Sequence, residues 1–166
     1  MIIMNKIVGY ATAILLIIFT SFFIVRKLKK SSIPPIIMDK IALVDLNGKA
    51  IENGKFIGKP LVINFWGTWC GPCREELPNF ETAQKKYGNK VNIILVSDES
   101  PETILKFKAD NNYSLFYAQS LQHFNTLGLT SVPFTYFYDA KGKLIFKHKD
   151  ELSEAELDEL IKKLVE

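Results

Sequence analysis

Leu61 to Trp66 (Leu-Val-Ile-Asn-Phe-Trp) is a continuous apolar run, and Cys70-Gly71-Pro72-Cys73 follows almost at once. An unbroken apolar segment of this length fits a strand buried on both faces, the habit of parallel strands covered by helices. Pro72 suits the first turn of a helix, where its missing N–H is harmless. A helix is therefore expected from about Pro72 to Tyr87, ended by Gly88 and Asn89. A buried strand that feeds directly into a helix points to an α/β layer architecture.

The rest of the pattern agrees. Ile41 to Asp45 and Lys49 to Glu52 flank Asn47-Gly48, a strong hairpin signal. Val91 to Val96 reads as a second buried strand. Pro101 to Asn111 reads as a helix, and so does a short segment from Ser120 to Leu127. Phe134 to Asp139 and Leu144 to His148 are two strands joined at Ala140-Lys141-Gly142-Lys143. The last helix starts at Ser153, with Glu156 three residues on as a capping box. Leu157, Leu160, Ile161 and Leu164 mark its buried face. The order is hairpin, strand, helix, strand, helix, hairpin, helix, which gives a mixed sheet. Trp66 and the run Tyr136-Phe137-Tyr138 are expected in the core, and His123 and His148 at the surface. Lys141, Lys143, Lys147 and Lys149 form a solvated edge, where charge discourages aggregation.

Upstream of this domain, Ile7 to Val25 is an uncharged run of 19 residues that ends at Arg26-Lys27-Leu28-Lys29-Lys30. As a helix it is roughly 28 Å long, close to the ~30 Å hydrocarbon core of a bilayer. A cleaved signal peptide has a shorter apolar region, about 7–15 residues, followed by small residues. Here bulky Phe22, Phe23 and Ile24 run into the basic cluster. Residues 1–30 are thus read as an uncleaved anchor, 31–38 as a proline-bearing linker and 39–166 as one folded domain. Of the 21 Lys and Arg residues, five lie in the anchor, which has no acid, leaving 16 basic against 18 acidic residues in the remainder. The basic balance belongs to the terminus, so a nucleic-acid partner is not expected. Basic residues after the span place the domain in the cytoplasm by the positive-inside rule, which is weaker for long domains.

The chain has only two cysteines, too few for a disulfide-stapled scaffold. Three residues apart, they are a redox pair or half of a metal site. Cys70 opens a helix, whose N-terminus carries partial positive charge and unpaired amides. Both favour a thiolate, so Cys70 is the expected nucleophile. Cys73 lies on the same helical face one turn on and is the resolving residue. The two can close a small disulfide. Cys70 would attack a partner's disulfide, and Cys73 would then attack Cys70 and release the reduced partner. A zinc site needs four ligands. His123 and His148 are the only histidines to complete it and stand far apart, so no metal is expected.

The segment Asn64-Phe65-Trp66-Gly67-Thr68-Trp69-Cys70-Gly71-Pro72-Cys73, together with Ser131-Val132-Pro133-Phe134-Thr135, resembles the TlpA/ResA-like thioredoxin family over residues 39–166. The resemblance implies a thioredoxin-like three-layer fold with a mixed central sheet, an N-terminal hairpin and a helix–strand insert. It implies an enzyme, a thiol–disulfide oxidoreductase tethered to a bacterial membrane with its domain outside the cytoplasm. Such proteins often reduce disulfides, for instance in apocytochrome c. A membrane thiol carrier would then supply electrons, the disulfide itself would be the only redox group, and the domain would act as a monomer.

By the same resemblance Pro133 is the family's cis proline facing the pair. Val132 offers its backbone to a substrate strand, and Trp69, Gly71 and Pro72 shape the substrate surface. Glu76 is the family's acid, which, if buried, manages the proton on the pair. Its alternative is a solvated helix carboxylate, as for Glu75. Asn64 stands where ordinary thioredoxins carry a buried Asp, which shifts the proton role toward Glu76. The other readings are an oxidase or isomerase using the same pair, a peroxiredoxin-type peroxidase, and a non-catalytic binding module or chaperone for a metal or apoprotein.

Overall fold

The computed structural model describes Leu16, Ile17, Phe19 to Ser21 and Lys40 to Glu166. The chain divides into two compact units, Met1–Pro34 and Pro35–Glu166. In the first, the five described residues are helical, and Thr20 Oγ1 donates back to the carbonyls of Leu16 and Ile17. The rest of the expected anchor and the linker lie outside the described residues. Among the described residues no helix is long and apolar enough to cross a membrane.

The second unit holds seven strands in one sheet. They are β1 (Leu43–Asp45), β2 (Ala50–Ile51), β3 (Leu61–Phe65), β4 (Asn92–Ser97), β5 (Phe116–Ser120), β6 (Phe134–Tyr138) and β7 (Leu144–Lys149). The spatial order is β2-β1-β5-β4-β3-β6-β7. β3, β4 and β5 run parallel, while β1, β2, β6 and β7 join antiparallel. Central β3 is buried at every residue, as its unbroken apolar run requires. On edge strand β7 exposure alternates along the chain, as expected for a strand with one wet face.

Two α-helices connect strands, α1 (Gly71–Tyr87) and α2 (Pro101–Asn111), and a third, α3 (Glu154–Val165), follows β7. α1 buries Cys73, Glu76, Leu77, Phe80, Ala83 and Tyr87, a stripe at helical spacing. α2 begins at a Ser100 cap followed by Pro101 and ends at Asn112 in the left-handed region. α3 begins with the full capping box of Ser153 and Glu156. Residues of all three helices share one core cluster with Val62, Ile93, Leu95, Tyr117 and Phe137, which point to one face of the sheet. Two successive right-handed crossovers in one direction put their helices on the same side. Tyr87 Oη and Lys86 both donate to Asp158, which ties α1 to α3. The far face carries the aromatic rings of Phe65, Phe134, Tyr136 and Tyr138, and Phe124 packs edge-on to Phe65 at 5.5 Å. The third layer is thus thin and contains a 3-10 segment, Phe124–Leu127.

Two expectations are corrected. Phe116–Ser120 is a strand, β5, that sequence periodicity did not single out, and only Phe124–Leu127 of the segment expected to be helical between Ser120 and Leu127 turns, as a 3-10 helix. Gln119 and Ser120 make this stretch look like a loop. Pairing with β1 on one side and β4 on the other satisfies its backbone instead. Gly88 does close α1, but at φ −60° it keeps a right-handed conformation, with its N–H on the Gln84 carbonyl.

Candidate functional site

The loop after β3 carries the pair to the end of the sheet. Trp66 is fully buried, and its N–H donates to the Val96 carbonyl at 3.0 Å. Trp69, three residues on, is 69 % exposed. Its indole lies over Gly67, where a Cβ would stand 2.7 Å from Nε1; only glycine leaves room for that ring. Thr68 is fixed from the side. Its N–H and its hydroxyl donate to the two carboxylate oxygens of Glu99 at 2.6 and 2.7 Å.

Cys70 is the N-cap of α1, and its Sγ accepts the Cys73 N–H at 3.2 Å. The sulfur occupies the position at which a capping oxygen usually serves the first turn, and it takes one of the orphan amides, that of Cys73. Cys70 and Cys73 form a disulfide with an S–S distance of 2.06 Å. Gly71 and exposed Pro72 fill the turn between them. Opposite stands the Val132–Pro133 bond, which is cis. The Val132 carbonyl lies 3.7 Å from Cys70 Sγ. A disulfide sulfur has no proton to donate, so this is a packing contact between the Cys70 turn and the cis-proline loop.

Behind Cys73, one turn along α1, Glu76 is 1 % exposed, whereas adjacent Glu75 is exposed. Glu76 Oε1 accepts Asn64 Nδ2–H at 2.7 Å, and Oε2 accepts the Leu152 N–H at 2.9 Å. Asn64 Nδ2 also donates to Thr135 Oγ1 on β6 at 3.0 Å. Burial pushes the Glu76 carboxyl up to about 7; the two donors pull the other way, and the nearby charge of Glu151 adds to the rise. The buried acid lies three residues from the buried Cys73 on the same helical face, one turn along.

The tertiary structure brings together Trp69, Cys70, Gly71, Pro72, Cys73, Glu76, Val132 and Pro133. His123 stays at the surface beside Asp98, and His148 sits on β7. Sequence reasoning missed Thr68, Asp98, Glu99 and the Leu152 N–H. One signal was available for Asp98 and Glu99: Ser97-Asp-Glu-Ser-Pro follows a buried parallel strand, and sites gather at the carboxyl ends of such strands.

A cysteine pair at a helix N-terminus, beside a cis proline and over a buried acid, defines a thiol–disulfide oxidoreductase of thioredoxin-like fold. Over residues 36–154 the chain matches the AhpC/TSA family. A relative named thiol-disulfide oxidoreductase ResA, from Bacillus thuringiensis subsp. konkukian, is 35% identical over 126 residues, covering 74% of this chain and 73% of its own. The thioredoxin-like protein YneN of Bacillus subtilis is 32% identical over 124 residues, covering 71% and 72%. In fold, the chain is similar to a thiol:disulfide interchange protein of the thioredoxin family from Chlorobium tepidum, with TM-score 0.66 and 21% identity over 74% of this chain and 91% of that one. The chain belongs to the AhpC/TSA family, within its TlpA/ResA-like group of thioredoxin-fold thiol–disulfide oxidoreductases. Its substrates are disulfide-containing molecules.

Proposed function

We propose that this protein is a membrane-tethered reductase of extracytoplasmic protein disulfides, with apocytochrome c the first substrate to try. Reduced Cys70, as thiolate, attacks a substrate disulfide. One substrate sulfur leaves as a thiolate, which takes a proton from water, and the other is held in a mixed disulfide with Cys70. Cys73 gives its proton to Glu76 and attacks Cys70 Sγ, which releases the second substrate sulfur as a thiolate that is protonated in turn, from water or from Glu76. Two electrons have passed to the substrate, and the Cys70–Cys73 disulfide remains as the only redox group needed. Trp69, Gly71, Pro72, Val132 and Pro133 form the surface that meets the substrate.

The observation that carries this reading is the Cys70 sulfur held as the cap of α1, 3.2 Å from the Cys73 N–H, an arrangement that favours its thiolate. The Gly-Pro insert resembles that of reducing thioredoxins. The uncharged run over 7–25 supports an uncleaved bilayer anchor (residues 1–30), followed by a proline-bearing linker (31–38) and a domain (39–166) that we take to act as a monomer. Family usage supports the outward orientation against the basic flank. A membrane thiol carrier then returns electrons, since that compartment is oxidising.

The test is the equilibrium reduction potential of the protein in dithiothreitol buffers, read from Trp66 and Trp69 fluorescence. A value near the roughly −270 mV of thioredoxin fits a reductase, and one near the roughly −120 mV of a strong oxidant reverses the direction of exchange.

A further inference from the structure

The two backbone segments that flank the disulfide belong to different parts of the chain. One is Thr68–Cys70, after β3. The other is Phe124–Val132, which leads from the 3-10 turn to the cis proline. Two adjacent carboxylates at the end of β4 hold both. Glu99 takes the Thr68 N–H at 2.6 Å, the Thr68 hydroxyl at 2.7 Å and the Ser97 hydroxyl at 3.1 Å. Asp98 Oδ2 takes the Phe124 N–H at 3.0 Å and faces His123 Nδ1 at 3.5 Å.

Each hold is passed on. Thr68 is two residues from Cys70. The Phe124 carbonyl accepts the Leu129 N–H at 2.9 Å, which closes the turn three residues short of Val132. Phe124 is also seated against Phe65 of β3. The 3.7 Å separation between Cys70 Sγ and the Val132 carbonyl is therefore spanned by a bridge through β4. Small displacements of aligned groups cost large factors in rate.

We propose that Asp98 and Glu99 are positioning residues for the exchange reaction, holding the Cys70 turn and the Val132 loop in register so that a substrate backbone lying alongside both meets the Cys70 sulfur. The inference rests on the reading that the pair exchanges with protein disulfides. It assigns the role to the acceptor geometry, not to the negative charge. A glutamine at 99 keeps the bond to the Thr68 N–H and can donate its amide to the Thr68 hydroxyl, which then accepts. An asparagine at 98 keeps the acceptor for Phe124.

The experiment uses the full chain, reduced, with two probes: insulin, which presents backbone around its disulfides, and 5,5′-dithiobis(2-nitrobenzoate), which presents none. In Asp98→Ala and Glu99→Ala, KM for insulin is expected to rise about tenfold, while the rate with the small disulfide stays within about twofold. Asp98→Asn and Glu99→Gln restore the wild-type KM. Thr68→Val, which removes only the hydroxyl bond, gives a smaller rise of the same kind and serves if an alanine variant fails to fold. Alanine variants that match the wild type on insulin overturn the brace. So do amide variants as impaired as the alanines, which would put the effect on charge. If the wild type itself fails to reduce insulin, the reductase reading falls, and the same variants assayed by oxidation of reduced insulin chains still read the brace.

Discussion

The two sides of the Cys70–Cys73 disulfide each carry a glutamate, and the two are used in opposite ways. On the Cys70 side Glu99 is half-buried and accepts three hydrogen bonds from a backbone N–H and two hydroxyls. On the Cys73 side Glu76 is 1 % exposed and accepts two, from Asn64 and Leu152. Deeper burial with fewer donors leaves Glu76 with a carboxyl held near 7. We therefore give the first the part of a brace and the second that of a proton carrier. The outer side faces solvent through Trp69, and the inner side is sealed by the loop at Leu152.

The sharpest break of that comparison is at the sulfurs. Cys70→Ser removes the outward nucleophile and is expected to lower exchange by about 10³-fold or more. Cys73→Ser leaves the attack but removes resolution, so a mixed disulfide with the substrate should accumulate on a non-reducing gel. Accumulation in the Cys70 variant instead would exchange the two roles.

Next comes the inner carboxyl. Its folded value of about 7 lies above the ordinary 4.5, so the folded state holds the proton more tightly than the unfolded chain. The stability this contributes is fully present below about pH 4.5 and is lost as pH rises to about 7, a fall of about 3 kcal/mol. Glu76→Gln should flatten unfolding free energy over that window, read from denaturant titrations at several pH values. It should also remove the pH dependence near 7 from the resolving step. A slope that survives the substitution would move the proton elsewhere.

The smallest effect is expected at the outer surface. Trp69→Ala should change stability by no more than about 0.5 kcal/mol, because the ring is mostly in water. It should still slow exchange with a protein substrate. A large loss of stability on thermal unfolding would show that the ring supports the loop over Gly67 instead of facing the substrate.

Much of this was legible before folding was considered, and all of it was local. The Cys-Gly-Pro-Cys spacing fixed which sulfurs share a helical turn. Ser153 with Glu156 marked a helix start because a capping box is satisfied within three residues. The unbroken run of β3 announced a central strand. β5 was not legible, because Phe-Tyr-Ala-Gln-Ser carries no clear period, and its pairing partners are distant in sequence.

By itself, then, the sequence determined the helices and turns whose hydrogen bonds close within a few residues, together with the cysteine pair that shares one helical turn. Only the tertiary structure decided which carboxylates matter. Glu76 differs from Glu75 because Asn64 and Leu152 reach it from 12 and 76 residues away, and Glu99 braces a threonine 31 residues distant. Burial and donors supplied by remote segments set the behaviour of an acid, and no local pattern encodes them.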